Sequence, residues 1–168
     1  MLSSTAVAGG IGALVVLLGL SAFFSSSETA IFSLPAEWEG TESDPRAEAL
    51  ADLRGDPHRL LVTLLVGNNV VNIATSSLMT LAVSKFISGG AVVAVATLLA
   101  TSVVLVFGEI VPKSYGLANA ETWSLAVARP LGAVELALSP LVAAFDAVTR
   151  RLSAAVGGTT AIERQYEE

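Results

Sequence analysis

The stretch "LLVTLLVGNNVVNIATSSLMTLAVSKFISGGAVVAVATLLATSVVLVFG" runs from residue 60 to residue 108, and its reading decides the fold. Lys85 is the only charged residue in it. A bilayer core needs about 20 apolar residues in a helix. The apolar text on each side of Lys85 is long enough to cross, so this stretch reads as two membrane helices. Lys85 and the "SGG" after it leave room for only a short turn between them. A third uncharged run, Leu2 to Ser27, lies upstream.

Composition supports this reading. The chain has 168 residues, of which 53% are hydrophobic and 14% charged. A soluble domain carries about 25% charged residues. Mean hydropathy is +0.70. Too few charges remain to cover a soluble surface, so the chain is expected to be an all-α membrane protein. The run behind "MLSSTAVAGG" is too long for a cleaved signal peptide and lacks a basic leader. It reads as a retained span.

We expect three spans at about 4–33, 60–84 and 87–111. Between the first two, "SDPRAEALADL" offers an N-cap in Ser43 or Asp44 and a proline near the first turn, so a short surface helix is expected within 43–55. The text from Thr122 to Val148 is interrupted by Arg129, Glu135 and Asp146, and Pro130 and Pro140 each remove a helix donor. It reads as two amphipathic juxtamembrane helices, about 119–152, turned near "LSP" and lying at the interface. A bent fourth span is the alternative.

Basic residues orient the chain. With three spans and the N-terminus outside, Arg46, Arg54, Arg59, Lys113, Arg129, Arg150, Arg151 and Arg164 are cytoplasmic, and Lys85 alone is outside. A fourth span would move Arg150, Arg151 and Arg164 outside. The expected location is the plasma membrane, multi-pass, with the C-terminus in the cytoplasm.

Several function classes lose their raw material. There is no cysteine and one histidine, His58. Thiolate metal sites, zinc-type sites and histidine-based triads are therefore disfavoured, and a bound metal would need oxygen ligands, which suit hard cations. No basic patch suggests nucleic acid. Much of the acidic charge lies between Glu37 and Asp56. Small residues, among them Gly9, Gly10, Gly12 and Gly19, crowd the first span; they suit close packing in a bundle or oligomer, and equally read as generic membrane-helix glycines.

Polar groups at membrane depth raise a functional hypothesis. Each span has one cluster. In "FFSSSETAIF", 23–32, Ser25 and Glu28 share a face with Ser21. Hydroxyls bonded to backbone near a helix end are the plain alternative. In "GNNVVN", 67–72, Asn68 and Asn72 are four residues apart and point the same way, with Asn69 to the side. Interhelical hydrogen bonding explains one such asparagine better than three. In "FGEIVPKSYG", 107–116, Glu109 and Lys113 have the spacing of an ion pair. Pro112 leaves the carbonyl near Gly108 without its usual donor, which suits a cation site, a hinge or a π-bulge. All three clusters fall at similar depth, in the cytoplasmic half. Serine hydroxyls, asparagine carbonyls, one carboxylate and a freed carbonyl form an oxygen-rich set. Magnesium takes six oxygens, and sodium also accepts such ligands.

The segments "FFSSSETAIFSL", "LLVGNNVVNIATSSL" and "FGEIVPKSYGLANAE" resemble, in order and spacing, three signatures of the CNNM/CorC family, the cyclin M group of magnesium transport proteins and its bacterial branch. The resemblance covers roughly residues 5 to 155. It implies three transmembrane helices with a juxtamembrane belt, a homodimer, and Mg2+ export driven by Na+ entry. It implies a cation site at Ser25 with Ser27, Asn68 with Asn72, and Glu109. The family's kink maps to Pro112 and Lys113, with Gly116 closing the motif. Many relatives carry glycine where this chain has Ser26, which leaves Ser25 and Ser27 both open as the liganding serine, Ser25 first. Glu28 is expected to anchor or gate the cytoplasmic mouth. Relatives usually continue into a CBS-pair domain that binds ATP. Residues 156–168 are expected to form a tail or linker toward such a domain, which this chain does not include, so nucleotide binding is not carried over.

Two functions fit the clusters: a transporter that moves the cation, and a sensor that binds it without conducting. An intramembrane serine hydrolase lacks a base at depth, since His58 lies in the connection, and an enzyme is not expected.

Overall fold

The structure is a computed structural model and describes residues 4–38 and 44–155. Among these it is helical throughout, with no strand. The elements are α1 (Ser4–Phe32), α2 (Pro45–Arg54), α3 (Pro57–Val83), α4 (Ala91–Val103), a π-helical segment (Val104–Ile110), α5 (Val111–Ala118) and α6 (Ala120–Ala155). The expected tail, 156–168, and Ser43 lie outside the described residues.

α4, the π segment and α5 follow without a break, giving a rod from Ala91 to Ala118. The turn before it passes through Gly89 at φ +79°, where a side chain would be strained. α1 and α3 run antiparallel, with Phe24 facing Gly67 and Ser21 reaching Asn68 and Asn72. α1 and the rod run parallel: Ser21 meets Gly108 and, further along both, Ser26 meets Gly116. These register pairs bring the three polar segments to one level.

Packing is concentrated at the end that carries α2. Asp44 caps α2, its carboxylate accepting from the Arg46 N–H at 2.8 Å, and Pro45 occupies the first turn. The apolar face of α2, Leu50 and Leu53, joins Leu60 and Leu64 of α3 and Val127 and Leu131 of α6 in one buried cluster. Toward the other end, large apolar side chains such as Val15, Leu81, Phe86 and Leu98 are exposed. Such a surface suits lipid or another apolar partner. The glycines follow the same division. Gly9, Gly10, Gly12 and Gly19 of α1 have nothing within 4 Å, whereas Gly67, Gly108 and Gly116 sit at close helix approaches.

One expectation about the last region is corrected. It is one helix, Ala120–Ala155, with Pro130 and Pro140 inside it, not two helices turned at "LSP". Each proline removes one donor, and both are exposed, so curvature on the outer face relieves the ring without unpacking the buried face. Among the described residues, four helices are long and apolar enough to cross a membrane, Ala8–Phe32, Pro57–Val83, Ala91–Ala118 and Ala120–Phe145, where three spans are expected. Either count gives a multi-pass membrane protein.

The Arg46 side chain and then its backbone N–H hold the Asp44 carboxyl below the usual carboxylate range. A depressed folded value means stabilisation that is full above the unfolded pKa, about 3.9, and fades as pH falls through the folded value. We expect the protection of the Arg46 amide, its exchange relative to an unstructured peptide at the same pH, to fall below about pH 4, and Asp44→Ala to lower it at neutral pH. Unchanged exchange in the variant would show that the cap contributes nothing to α2.

Candidate cation site

Ser21 is the hub of the polar cluster. It is fully buried, and its hydroxyl lies 2.8 Å from Asn72 Oδ1, 3.3 Å from Asn68 Oδ1 and 3.5 Å from the Gly108 carbonyl oxygen. A hydroxyl carries a single proton to donate. Three carbonyl oxygens therefore converge on one donor, a local surplus of acceptors.

The Asn68 and Asn72 carbonyls reach Ser21 because they are one turn apart on α3. Asn72 also donates its amide to Glu109 Oε1 at 3.2 Å, which fixes the amide with its oxygen toward Ser21. Asn69 faces away and donates back to the Leu65 carbonyl at 2.8 Å. α3 can approach α1 this closely because residue 67 is glycine: a Cβ there would lie 2.5 Å from the Phe24 ring.

The third wall depends on the π segment. Pro112 has no N–H to offer the Gly108 carbonyl, and the wider turn, closed by the Val111 N–H on the Val106 carbonyl, turns that oxygen toward α1. A Cβ at position 108 would lie 2.6 Å from Ser21 Oγ, so only glycine allows the approach. Glu109, half-buried, follows directly.

Ser25 lies one turn along α1 from Ser21, on the same face. It is fully buried, and its hydroxyl has no hydrogen-bond partner among the described residues. A buried polar atom without a partner is costly; Thr63 and Ser124 share that condition, and Ser25 differs from them in lying on the Ser21 face of α1. Ser27 differs. It points about a third of a turn away from Ser21, and its hydroxyl donates to the Phe23 carbonyl at 2.6 Å. Ser26 donates to the Ala22 carbonyl at 2.7 Å and accepts from Trp123 Nε1 at 3.0 Å, tying α6 to α1.

The structure thus brings together Asn68, Asn72 and Glu109 of the sequence-derived set, with Ser25 one turn along α1, leaves Ser27 on another face, and adds Ser21 and the Gly108 carbonyl. Ser21 was legible as a member of the Ser25 face; nothing in the sequence shows that two asparagines would point at it. One pairing is corrected. Lys113 does not bridge Glu109, because the π segment rotates Lys113 away from the four-residue register. It pairs with Glu28 Oε2 at 3.2 Å, joining α5 to α1. Gly116 packs directly on the Ser26 backbone carbonyl. No group of three or more histidine, cysteine or acidic residues is close enough to hold a metal among the described residues, so a cation here would depend on neutral oxygens and one carboxylate.

The comparisons with known proteins agree with this architecture. The family model described as the cyclin M transmembrane N-terminal domain matches residues 12–168. A chloroplastic DUF21 domain-containing protein of Arabidopsis thaliana is 43% identical over 131 residues, 76% of this chain and 20% of the plant protein. The UPF0053 inner membrane protein YfjD of Escherichia coli is 38% identical over 149 residues, 85% of this chain and 34% of that protein. A UPF0053 protein of Haemophilus influenzae is 35% identical over 158 residues, 90% of this chain and 37% of that protein. The chain spans about a fifth to just over a third of the length of these relatives. The match covers all three polar segments and the helices that bring them to one level, and this chain belongs to the cyclin M (CNNM/CorC) family, as a transmembrane domain of it.

Proposed function

We propose that this domain carries Mg2+ across the membrane through the oxygen cluster between α1, α3 and the π segment. The observation that carries the reading is the surplus of acceptors: the Asn68, Asn72 and Gly108 carbonyls share one hydroxyl proton, beside an unpartnered buried Ser25 hydroxyl and the Glu109 carboxylate. A hard cation would draw on such oxygens, and magnesium takes six oxygen ligands in octahedral geometry. A single carboxylate keeps the site's charge low, so the ion can leave as well as enter.

The proposal includes orientation. α6 touches Ser26 through Trp123 and reaches Arg59 through Glu135, whose carboxylate lies 2.6 Å from the guanidinium. Between those contacts α6 advances about 18 Å. By the α1–α3 register, Ser26 stands near residue 65 of α3, so α6 has moved about 9 Å toward the start of α3. It travels obliquely toward the α2 end. That course supports three spans with α6 as a belt on the cytoplasmic side, an outside N-terminus and a cytoplasmic C-terminus. Export driven by Na+ entry, homodimeric assembly and a plasma-membrane location belong to the same reading.

The test is flux in proteoliposomes containing only this protein. Mg2+ movement that depends on an opposing Na+ gradient is expected. Binding without flux would replace the transporter with the sensor; flux indifferent to Na+ would remove the coupling alone.

A further inference from the structure

We infer that Glu28 is an additional cation-binding residue, an entry carboxylate at the cytoplasmic mouth that Lys113 occupies until the ion displaces it. The inference rests on the cation-carrying reading above.

Four observations lead to it. Ser21, Ser25 and Glu28 lie on one face of α1, each about a turn from the next. On the opposing rod, Gly108 meets Ser21, and Lys113, about a turn further on, meets Glu28. Between those two levels stands the Ser25 hydroxyl, fully buried and without a partner. The polar path therefore runs from the Ser21 cluster through Ser25 and ends at the ion pair. Glu28 lies one turn from the end of α1 at Phe32, and the pair is partly exposed, with side-chain exposures of 44% for Lys113 and 36% for Glu28. An ion approaching from that side meets this pair before it meets the buried oxygens.

The chemistry suits exchange. Lys113 presents a monovalent ammonium to a carboxylate, and a divalent cation competes for the same oxygens with twice the charge. A partly exposed ion pair is weak, so the contest is open: its strength corresponds to about a two- to fivefold change in a binding constant. Lys113 also sits on the segment that carries Pro112 and follows Glu109, so release of the ammonium frees the part of the rod next to the site.

The test titrates magnesium chloride into the purified protein and follows its melting temperature, in wild type, Lys113→Gln, Glu28→Gln and the double variant. Lys113→Gln is expected to lower the half-saturating Mg2+ concentration about two- to fivefold, and Lys113→Arg to restore it. Glu28→Gln is expected to raise that concentration by a similar factor. In the Glu28→Gln background the gain from Lys113→Gln is expected to vanish, since Lys113 acts through Glu28. An equal gain in both backgrounds would reduce the effect to general electrostatics and overturn the inference. So would a Glu28→Gln variant whose melting temperature falls while its Mg2+ midpoint stays put, the signature of a purely structural latch. Should Lys113→Gln fail to fold, Glu28→Gln alone decides between these outcomes. Failure of the underlying site is read from other variants: if the Mg2+ response survives both Asn72→Ala and Glu109→Gln, the cation site is misplaced and this inference falls with it.

Discussion

Asn72→Ala is expected to abolish the stabilisation of the protein by Mg2+. Asn72 is the residue that the other walls share. Its carbonyl meets Ser21 on α1, and its amide meets Glu109 on the π segment. Truncation removes one candidate ligand and releases two others from their orientation. Loss of a group that merely orients ligands lowers metal affinity about 10- to 100-fold, and Asn72 is placed to do both jobs. The half-saturating Mg2+ concentration should rise by at least that factor in a melting titration, and Mg2+ flux should fall to background. Glu109→Ala should do the same by removing the only carboxylate of the cluster. Destabilisation of the ion-free protein should be modest, because Asn72 is half-buried and its hydrogen bonds are few. Retention of the wild-type melting shift by both variants would place the site elsewhere.

Gly116→Ala is expected to be the most damaging single-methyl change. The added Cβ would collide with the Ser26 backbone carbonyl, its carbon and its Cα. Those atoms belong to a helix backbone and cannot turn aside as a side chain can. α5 must therefore back away from α1. Overpacking of this kind costs about 1–3 kcal/mol. The displacement also reaches the site, since Ser26 adjoins Ser25 and holds Trp123 of α6. We expect a lower melting temperature together with a weakened Mg2+ response. Gly67→Ala makes the contrasting control. There the obstacle is the Phe24 ring, which a rotation can move, so the loss should be smaller. Equal or larger loss at Gly67, or a wild-type Gly116→Ala, would show that the α1–α5 contact is looser than the structure has it.

Trp123 shows how much of the placement of α6 depends on one polar contact. Its indole donates to Ser26 while its ring packs edge-on against Tyr115, at 5.3 Å between centroids. This anchors the start of α6 close to the site, and Glu135 anchors the helix a few turns later at Arg59. Motion of α6 and motion of α1 are therefore mechanically joined, through side chains that no periodicity in the sequence would pair.

The sequence by itself determined the solvent and most of the elements. Uncharged runs of spanning length cannot be anything but membrane helices in this chain, because no other region could bury them. The capped helix after Asp44 and the broken register at Pro112 were equally local facts, set by a side-chain acceptor and a missing N–H. The shared face of Asn68 and Asn72 followed from helix geometry alone. Tertiary structure decided what those residues meet. Ser21 became the hub because Gly67 and Gly108 let α3 and the rod close on α1, and a glycine announces a close approach without naming its partner. Lys113 went to Glu28 because the π turn changed its direction, and such a turn is fixed by packing as well as by the proline. α6 stayed whole because its buried face is held by α2 and α3 while its prolines look outward, a balance that local propensity does not contain.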